Sequence, residues 1–169
     1  MKLKNNISFE SIIRSFEELY NNSYNALELA ELILCYNRQL PLEKFAKLSD
    51  HRRIREVRLG LEAGVDLFRH AKECNNYKRL EVTRQIAVEG FVIPVEHLKQ
   101  MTLPALIEIR KGIYNGIDVS IYAKPDFEWR QMREIREGLE AGIDVSSYAD
   151  PKFAWTRMSN IRKQSTYGD

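Results

Sequence analysis

Cysteine, histidine and unbroken apolar sequence are what this chain has least of, and each scarcity narrows its chemistry. It has two cysteines in 169 residues, Cys35 and Cys74, without metal-like spacing. They are expected to be reduced, partly buried thiols of an intracellular protein rather than a disulfide framework. Its three histidines, His51, His70 and His97, are 19 and 27 residues apart by difference of their numbers. No HExxH, nucleophile elbow or glycine-rich phosphate loop accompanies them, so neither a metal site nor a nucleophilic centre is indicated. No apolar run approaches bilayer length, and the start MKLKNNISFE lacks the apolar core of a signal peptide. A soluble, cytoplasmic, non-enzymatic chain is therefore expected, with no cofactor, no catalytic residues and no membrane partner. Neither sign of charge dominates: 26 Lys and Arg face 24 Asp and Glu, a net charge of +2. Wholesale binding to a polyanion is thus disfavoured, and only local patches remain to be considered.

What the chain does have is an internal echo. Gly64, Gly90, Gly116 and Gly142 are spaced 26 residues apart by difference of their numbers, and Gly168 continues the series. Before each glycine stand Ile54, Leu80, Leu106 and Met132, then Val57, Thr83, Ile109 and Ile135, then Arg58, Arg84, Arg110 and Arg136, with Arg162 next in line. A period of this size marks a repeat architecture. Residues near 126–141 fit a helix of about four turns buried on Met132, Ile135 and Leu139, with Gly142 as its left-handed end and Ile143 folding back on the last turn. Asp150-Pro151 reads as the opening of the next long helix. Val145, Tyr148 and Ala149 suggest a second, short helix entered through Asp144 or Ser146. Gly112 and Gly138 fall inside long helices, where glycine costs about 0.5–1 kcal/mol relative to alanine, implying close backbone approach between neighbours.

The resulting expectation is all-α: a short α-solenoid of about 26-residue long-helix/short-helix repeats, since neither helix buries its apolar face alone. Residues 1–48 form an N-terminal helical cap, and residues 49–169 the tandem repeats, ending in a truncated C-terminal helix. The cap holds an amphipathic lead-in helix over Ile7–Tyr20 and a degenerate copy, ALELAELILCYNR, capped by Asn25. Within that copy Leu27, Ala30 and Leu34 take the places of Met132, Ile135 and Leu139, and Asn37 takes the glycine place.

The stretch QMREIREGLEAGIDVSSYADPKFAW, from Gln131 to Trp155, resembles the QMxEIRxGLExGxDVSxYAxPxFxW tandem repeats of small bacterial proteins, some carried by phages and other mobile elements. The resemblance runs from Arg53 to Gln164, closest in the last two copies and loosest from Leu80 to Met101. Such proteins have no assigned activity, so the resemblance implies a repeat scaffold and transfers no functional residue. By association with other small partner-binding proteins of mobile elements, it also suggests an anti-CRISPR-like inhibitor of a host defence nuclease, acting by occlusion.

Two sets of residues could carry binding. The recurring Arg58, Arg84, Arg110, Arg136 and Arg162 would form a ladder along one edge of stacked copies, suited to bidentate phosphate or carboxylate recognition. Alternatively, each is structural, paired with an acid of a glycine turn such as Asp66, Asp118 or Asp144, or with a helix C-terminal carbonyl. The second set is a local basic cluster: His51, Arg52, Arg53, Arg55 and Arg58 with Arg69, His70, Lys72, Lys78 and Arg79. From Ser49 to Arg79, eight Arg or Lys face five Asp or Glu. The leading expectation is a protein partner docked on the basic copy, such as a nucleic-acid-processing effector. The alternatives are direct nucleic-acid binding through the patch and ladder, or a structural module that is a monomer or forms a small homo-oligomer. Trp129, Trp155, Tyr122, Tyr148, Phe127 and Phe153, at helical spacing, read as core between copies rather than base-stacking platforms.

Overall fold

The computed structural model describes residues 24–166 and, before them, Arg14, Glu17 and Glu18, which are helical and exposed. The remainder of the lead-in helix expected over Ile7–Tyr20 lies outside the described residues, as does Gly168. The described residues are all helix, turn and connection, with no strand. Six long helices run through them: α1 (Ala26–Asn37), α3 (His51–Glu62), α5 (Tyr77–Val88), α7 (Leu103–Tyr114), α8 (Trp129–Glu140) and α9 (Trp155–Thr166), each of 12 residues. Between them lie the short helices α2 (Leu42–Phe45), α4 (Phe68–Glu73) and α6 (Val95–Gln100), replaced later in the chain by 3-10 turns at Val119–Ile121 and Val145–Ser147. No described helix is long and apolar enough to cross a membrane.

The beginning and end of each long helix are written in the same places. The residue before α1, α3, α5 and α7 is Asn25, Asp50, Asn76 or Thr102, and each side chain accepts a backbone N–H of the first turn. This satisfies donors that have no partner within the helix. At Asn25 a capping box with Glu28 completes the cap, and at Glu128 the box is made with Gln131. The helix ends reuse one device. Gly64, Gly90, Gly116 and Gly142 have φ of 81°, 90°, 72° and 72°. The following residue then reaches back across the turn, as in Ile117 N–H to Gly112 C=O at 2.8 Å and Ile143 N–H to Gly138 C=O at 2.9 Å.

The first copy uses the same closure without glycine and in a different register from the expected one. Gln39, not Asn37, is in the left-handed conformation (φ 57°), and Leu40 N–H donates to Cys35 C=O at 3.0 Å. The core residues shift with it: Leu29, Leu32 and Cys35 are buried, whereas Leu27 is 58% exposed. The physical reason is the start. The Asn25–Glu28 capping box places α1 25 residues before α3, whereas later long helices begin 26 apart, by difference of their first residues.

Two further expectations are corrected. The helix placed over residues 126–141 begins at Trp129, because Lys124–Phe127 forms a turn of its own, closed by Phe127 N–H to Lys124 C=O. Asp150-Pro151 likewise opens a turn rather than a helix: Asp150 accepts the Lys152 N–H at 2.9 Å, and α9 begins only at Trp155.

Each long helix packs against the next in the chain, α1 on α3, α3 on α5, α5 on α7, α7 on α8 and α8 on α9, and the short helices α4 and α6 pack on each other. At the joints Leu32, Ile54, Leu80, Leu106, Met132 and Met158 are fully buried, as are Val57, Ile109 and Ile135. Each is worth about 1.5–3 kcal/mol of apolar burial. Gly112 and Gly138 mark a close approach, but by side chains of their own copy rather than by a neighbouring backbone. A Cβ on Gly138 would overlap the hydroxyl of Tyr148 and lie 3.0 Å from Val145 Cγ1, and one on Gly112 would overlap the hydroxyl of Tyr122. Both tyrosines are fully buried, donating to the carbonyls of Glu134 and Glu108 at 3.4 and 3.3 Å.

Candidate binding surface

The recurring arginines carry their charge inward, to the preceding long helix. Arg58 Nε donates to Glu31 at 2.9 Å, Arg84 Nε to Glu56 at 2.7 Å, Arg136 Nε to Glu108 at 2.9 Å and Arg162 Nε to Glu134 at 2.9 Å. Arg58 and Arg136 add an acid one turn along their own helix, Glu62 at 2.8 Å and Glu140 at 2.6 Å. Burial works against the charge on these two arginines, yet the carboxylates outweigh it and hold both guanidinium groups more firmly protonated than a free arginine. The side chains of Arg136 and Glu108 are 9% and 5% exposed, so neither is open to a partner.

The acids are therefore not those of the glycine turns. Asp66, Asp118 and Asp144 instead accept the backbone N–H two residues on, from Phe68, Ser120 and Ser146, at 2.9 Å each. Hydrogen bonds from Ser120 hold the Asp118 carboxyl below its ordinary range, and those from Ser146 do the same for Asp144. The glutamates that hold the ladder went unnoticed in the sequence, although a signal was there. Glu56-x-Arg58, Glu108-x-Arg110 and Glu134-x-Arg136 repeat one spacing, so α3, α7 and α8 each offer an acid to the next long helix and a base to the previous one.

A second set of polar contacts closes three of the copies on themselves. Arg53 reaches from the first turn of α3 to the Ala71 carbonyl in the last turn of α4, and Arg79 does the same from α5 to the Leu98 carbonyl of α6. Cations suit these helix C-termini. In α8 the equivalent Gln131 donates to the carbonyls of Pro151 and Phe153 at 2.8 and 2.7 Å. Arg53 and Arg79 are thus structural, with each Nε buried and unbonded. His70, also buried, contacts the Ile93 carbonyl through Nε2 at 3.0 Å.

The rest of the basic copy divides in two. Arg52 is held by both oxygens of Asp50 at 3.0 Å and lies over the Tyr77 ring, and His51 is 3.7 Å from the same carboxylate. Arg55, Arg69, Lys72 and Lys78 are exposed and have no hydrogen-bond or ion-pair partner among the described residues. Arg69 and Lys72 share α4, and Lys72 follows Ala71, the residue gripped by Arg53.

Arg110 is the exception within the ladder. It is exposed, its only polar contact among the described residues is Nη1 to the Gln85 side chain at 2.6 Å, and the acid position of α5 is occupied by Val82. Both cysteines are free and buried, and burial pushes the Cys35 thiol up to about 12. Among the described residues no three His, Cys, Asp or Glu side chains are grouped to hold a metal ion. Compared with known proteins, the chain matches no family model, no curated protein and no solved structure.

Proposed function

We propose that the chain is a short α-solenoid with an N-terminal helical cap, acting as a non-enzymatic module that binds an acidic protein surface through the basic copy His51–Arg79. What carries this reading is the division of its cations. Arg52, Arg53, Arg58, Arg79 and Arg84 are spent on internal contacts, while Arg55, Arg69, Lys72 and Lys78 keep their full charge toward solvent. Unpaired surface cations on a rigid helical scaffold favour encounter with a surface of opposite sign. A protein is favoured over nucleic acid because four of the five ladder arginines are occupied by glutamate, which leaves no continuous row of guanidinium groups for a phosphate backbone. Inhibition of a defence nuclease is the biological role suggested by the resemblance to mobile-element repeat proteins, and occlusion is the mode open to a scaffold that supplies contact and no chemistry.

The test combines Arg55→Glu, Arg69→Glu, Lys72→Glu and Lys78→Glu, which leaves every internal pair intact. Capture of a specific protein from a host lysate should be lost in this variant, with the melting temperature unchanged. Anisotropy titrations with single- and double-stranded oligonucleotides at two salt concentrations should show no binding. Capture that survives the reversals, or steeply salt-dependent oligonucleotide binding, would overturn the reading.

A further inference from the structure

The one rung of the ladder without an acid lies beside a groove of about 450 Å³ between α5 and α7. Gln85 and Glu89 line it from α5 and its end, and Arg110, Lys111, Tyr114 and Asn115 from α7 and its end. At every other rung the arginine turns its Nε edge to a glutamate of the preceding long helix. At this rung that acid is replaced by Val82. The second acid that two of the other rungs have, Glu62 for Arg58 and Glu140 for Arg136, is here Tyr114. Arg110 thus retains only Gln85 on Nη1, and its Nε edge has no acceptor among the described residues. The substituted Tyr114 is not tucked away: at 89% it is the most exposed large hydrophobic side chain described, with Val88 and Val92 also open at 44% and 64%.

We infer that this groove is a docking site for a segment of a partner protein that presents a glutamate or aspartate next to an apolar side chain. The carboxylate takes the vacant Nε edge of Arg110 as glutamates do at the other rungs, and the apolar neighbour covers Tyr114. A planar guanidinium edge pairs with a carboxylate through two parallel hydrogen bonds, a match that a phosphate or a neutral amide does not improve. Tyrosine and arginine are also both enriched among the residues that concentrate binding energy at protein interfaces. The local charge is complementary. Lys111 adds a second cation, neutralised in part by Glu108 at 2.7 Å, and the Asn115 amide is held by Glu140 at 2.7 Å. Glu89 is the one acid lining the groove. The site is separate from the free cations of the basic copy and does not depend on them.

The experiment is selection of a random peptide display library on the whole chain, followed by anisotropy titration of synthetic copies of the enriched peptides. Enriched sequences should carry Asp or Glu beside an apolar residue, and changing that acid to its amide should abolish binding. Arg110→Ala, Tyr114→Ala and Val82→Glu should each weaken binding about tenfold or more, the last because it returns an internal acid to the vacant edge. The variant with Arg55, Arg69, Lys72 and Lys78 reversed should bind these peptides as the wild type does, which separates this site from the basic copy. Melting curves identify any variant that has lost its fold; Arg110→Ala and Tyr114→Ala alter exposed side chains and should keep theirs. Enrichment of non-acidic peptides, binding unaffected by Arg110→Ala and Val82→Glu, or tighter Arg110-dependent binding of an oligonucleotide would each overturn the assignment.

Discussion

Substituting alanine for Gly138 adds one methyl group at the most crowded point of α8. Helix propensity alone favours the change by about 1 kcal/mol. Against that, the new Cβ would overlap the Tyr148 hydroxyl and sit 3.0 Å from Val145 Cγ1 and 3.1 Å from Tyr148 Cζ. Tyr148 is fully buried and cannot swing out into solvent without exposing its ring. The ring must shift, giving up its hydrogen bond to the Glu134 carbonyl, worth about 0.5–1.5 kcal/mol, and incurring an overpacking cost of about 1–3 kcal/mol. Gly138→Ala should therefore destabilise the chain by roughly 1–3 kcal/mol net, the balance of these terms. In urea denaturation followed by helical circular dichroism this lowers the midpoint, and in a thermal scan each kcal/mol lowers Tm by about 2–4 °C. The double-mutant cycle isolates the cause. In a Tyr148→Phe background the overlapping atom is gone and the remaining contacts need yield only a few tenths of an ångström, so the same substitution should cost about 1 kcal/mol less. Gly142→Ala is the control. Nothing lies within 4 Å of its Cβ and its φ is 72°, so its cost is conformational, about 1–2 kcal/mol, and should be the same in both backgrounds. Equal costs of Gly138→Ala with tyrosine and phenylalanine at 148, or a stabilising Gly138→Ala, would refute the steric account.

Three further outcomes follow from the ion pairs, the turns and the thiols. Glu108→Ala, which removes the inter-helix partner of Arg136 at a site where their side chains are 9% and 5% exposed and leaves it only the acids of its own helix, should cost more than about 1 kcal/mol in urea denaturation, against less than about 1 kcal/mol for the 28%-exposed Glu62→Ala; similar values would refute the structural weight given to the inter-helix pair. Asp118 and Asp144 have depressed pKa values through hydrogen bonds from Ser120 and Ser146. The unfolded chain therefore binds protons more readily at these sites, and their contribution is complete above the ordinary value of 3.8 and lost as pH falls through the lower folded value. Carboxyl titration by NMR should place both midpoints below 3.8, and Asp144→Asn should remove that part of the acid dependence of stability. Cys35, fully buried and with its pKa raised to about 12 by burial, should resist iodoacetamide at neutral pH and label only in urea; rapid stoichiometric labelling of the native chain would contradict its placement.

The long helices were legible because their signals are local. The glycine period, the apolar spacing and cap residues such as Asn25 and Asp50 each act within one turn of the position that shows them. What could not be read locally was which of two similar starts wins. Asp150-Pro151 and Ala154 are the two places where α9 could open, but Asp150 spends its carboxylate on Lys152 within a separate turn, and the helix waits for Trp155. The first copy was misplaced for a related reason. Aligning on a missing glycine put Asn37 in the left-handed position, while the capping box at Asn25, two residues out of that alignment, fixes the register that buries Leu29 and Leu32. The arginine partners were missed because the acids singled out in the sequence, the turn aspartates, are already satisfied by backbone N–H groups, and the inter-helix acids that count lie 27 or 28 residues away.

That distance gives the repeat its logic. An acid and a base two residues apart on one long helix face opposite neighbours, so each helix joint is specified by residues from two consecutive copies and no copy is self-sufficient. Near-identical copies can then diverge only where the loss of one partner is tolerated on both sides. At Val82 the acid is gone, yet Arg84 still finds Glu56, and Arg110 falls back on Gln85, so the α5–α7 joint keeps its apolar packing through Leu80, Ile86, Leu106 and Ile109 while its polar rung opens. Lacking the acid costs the scaffold little at this joint, because Arg110 is exposed to solvent rather than buried and apolar packing holds the two helices. It also turns a structural guanidinium into a free one without moving the backbone. A binding feature can therefore arise in such a chain by removing an internal contact, and the place to look for it is the copy in which the echo is weakest.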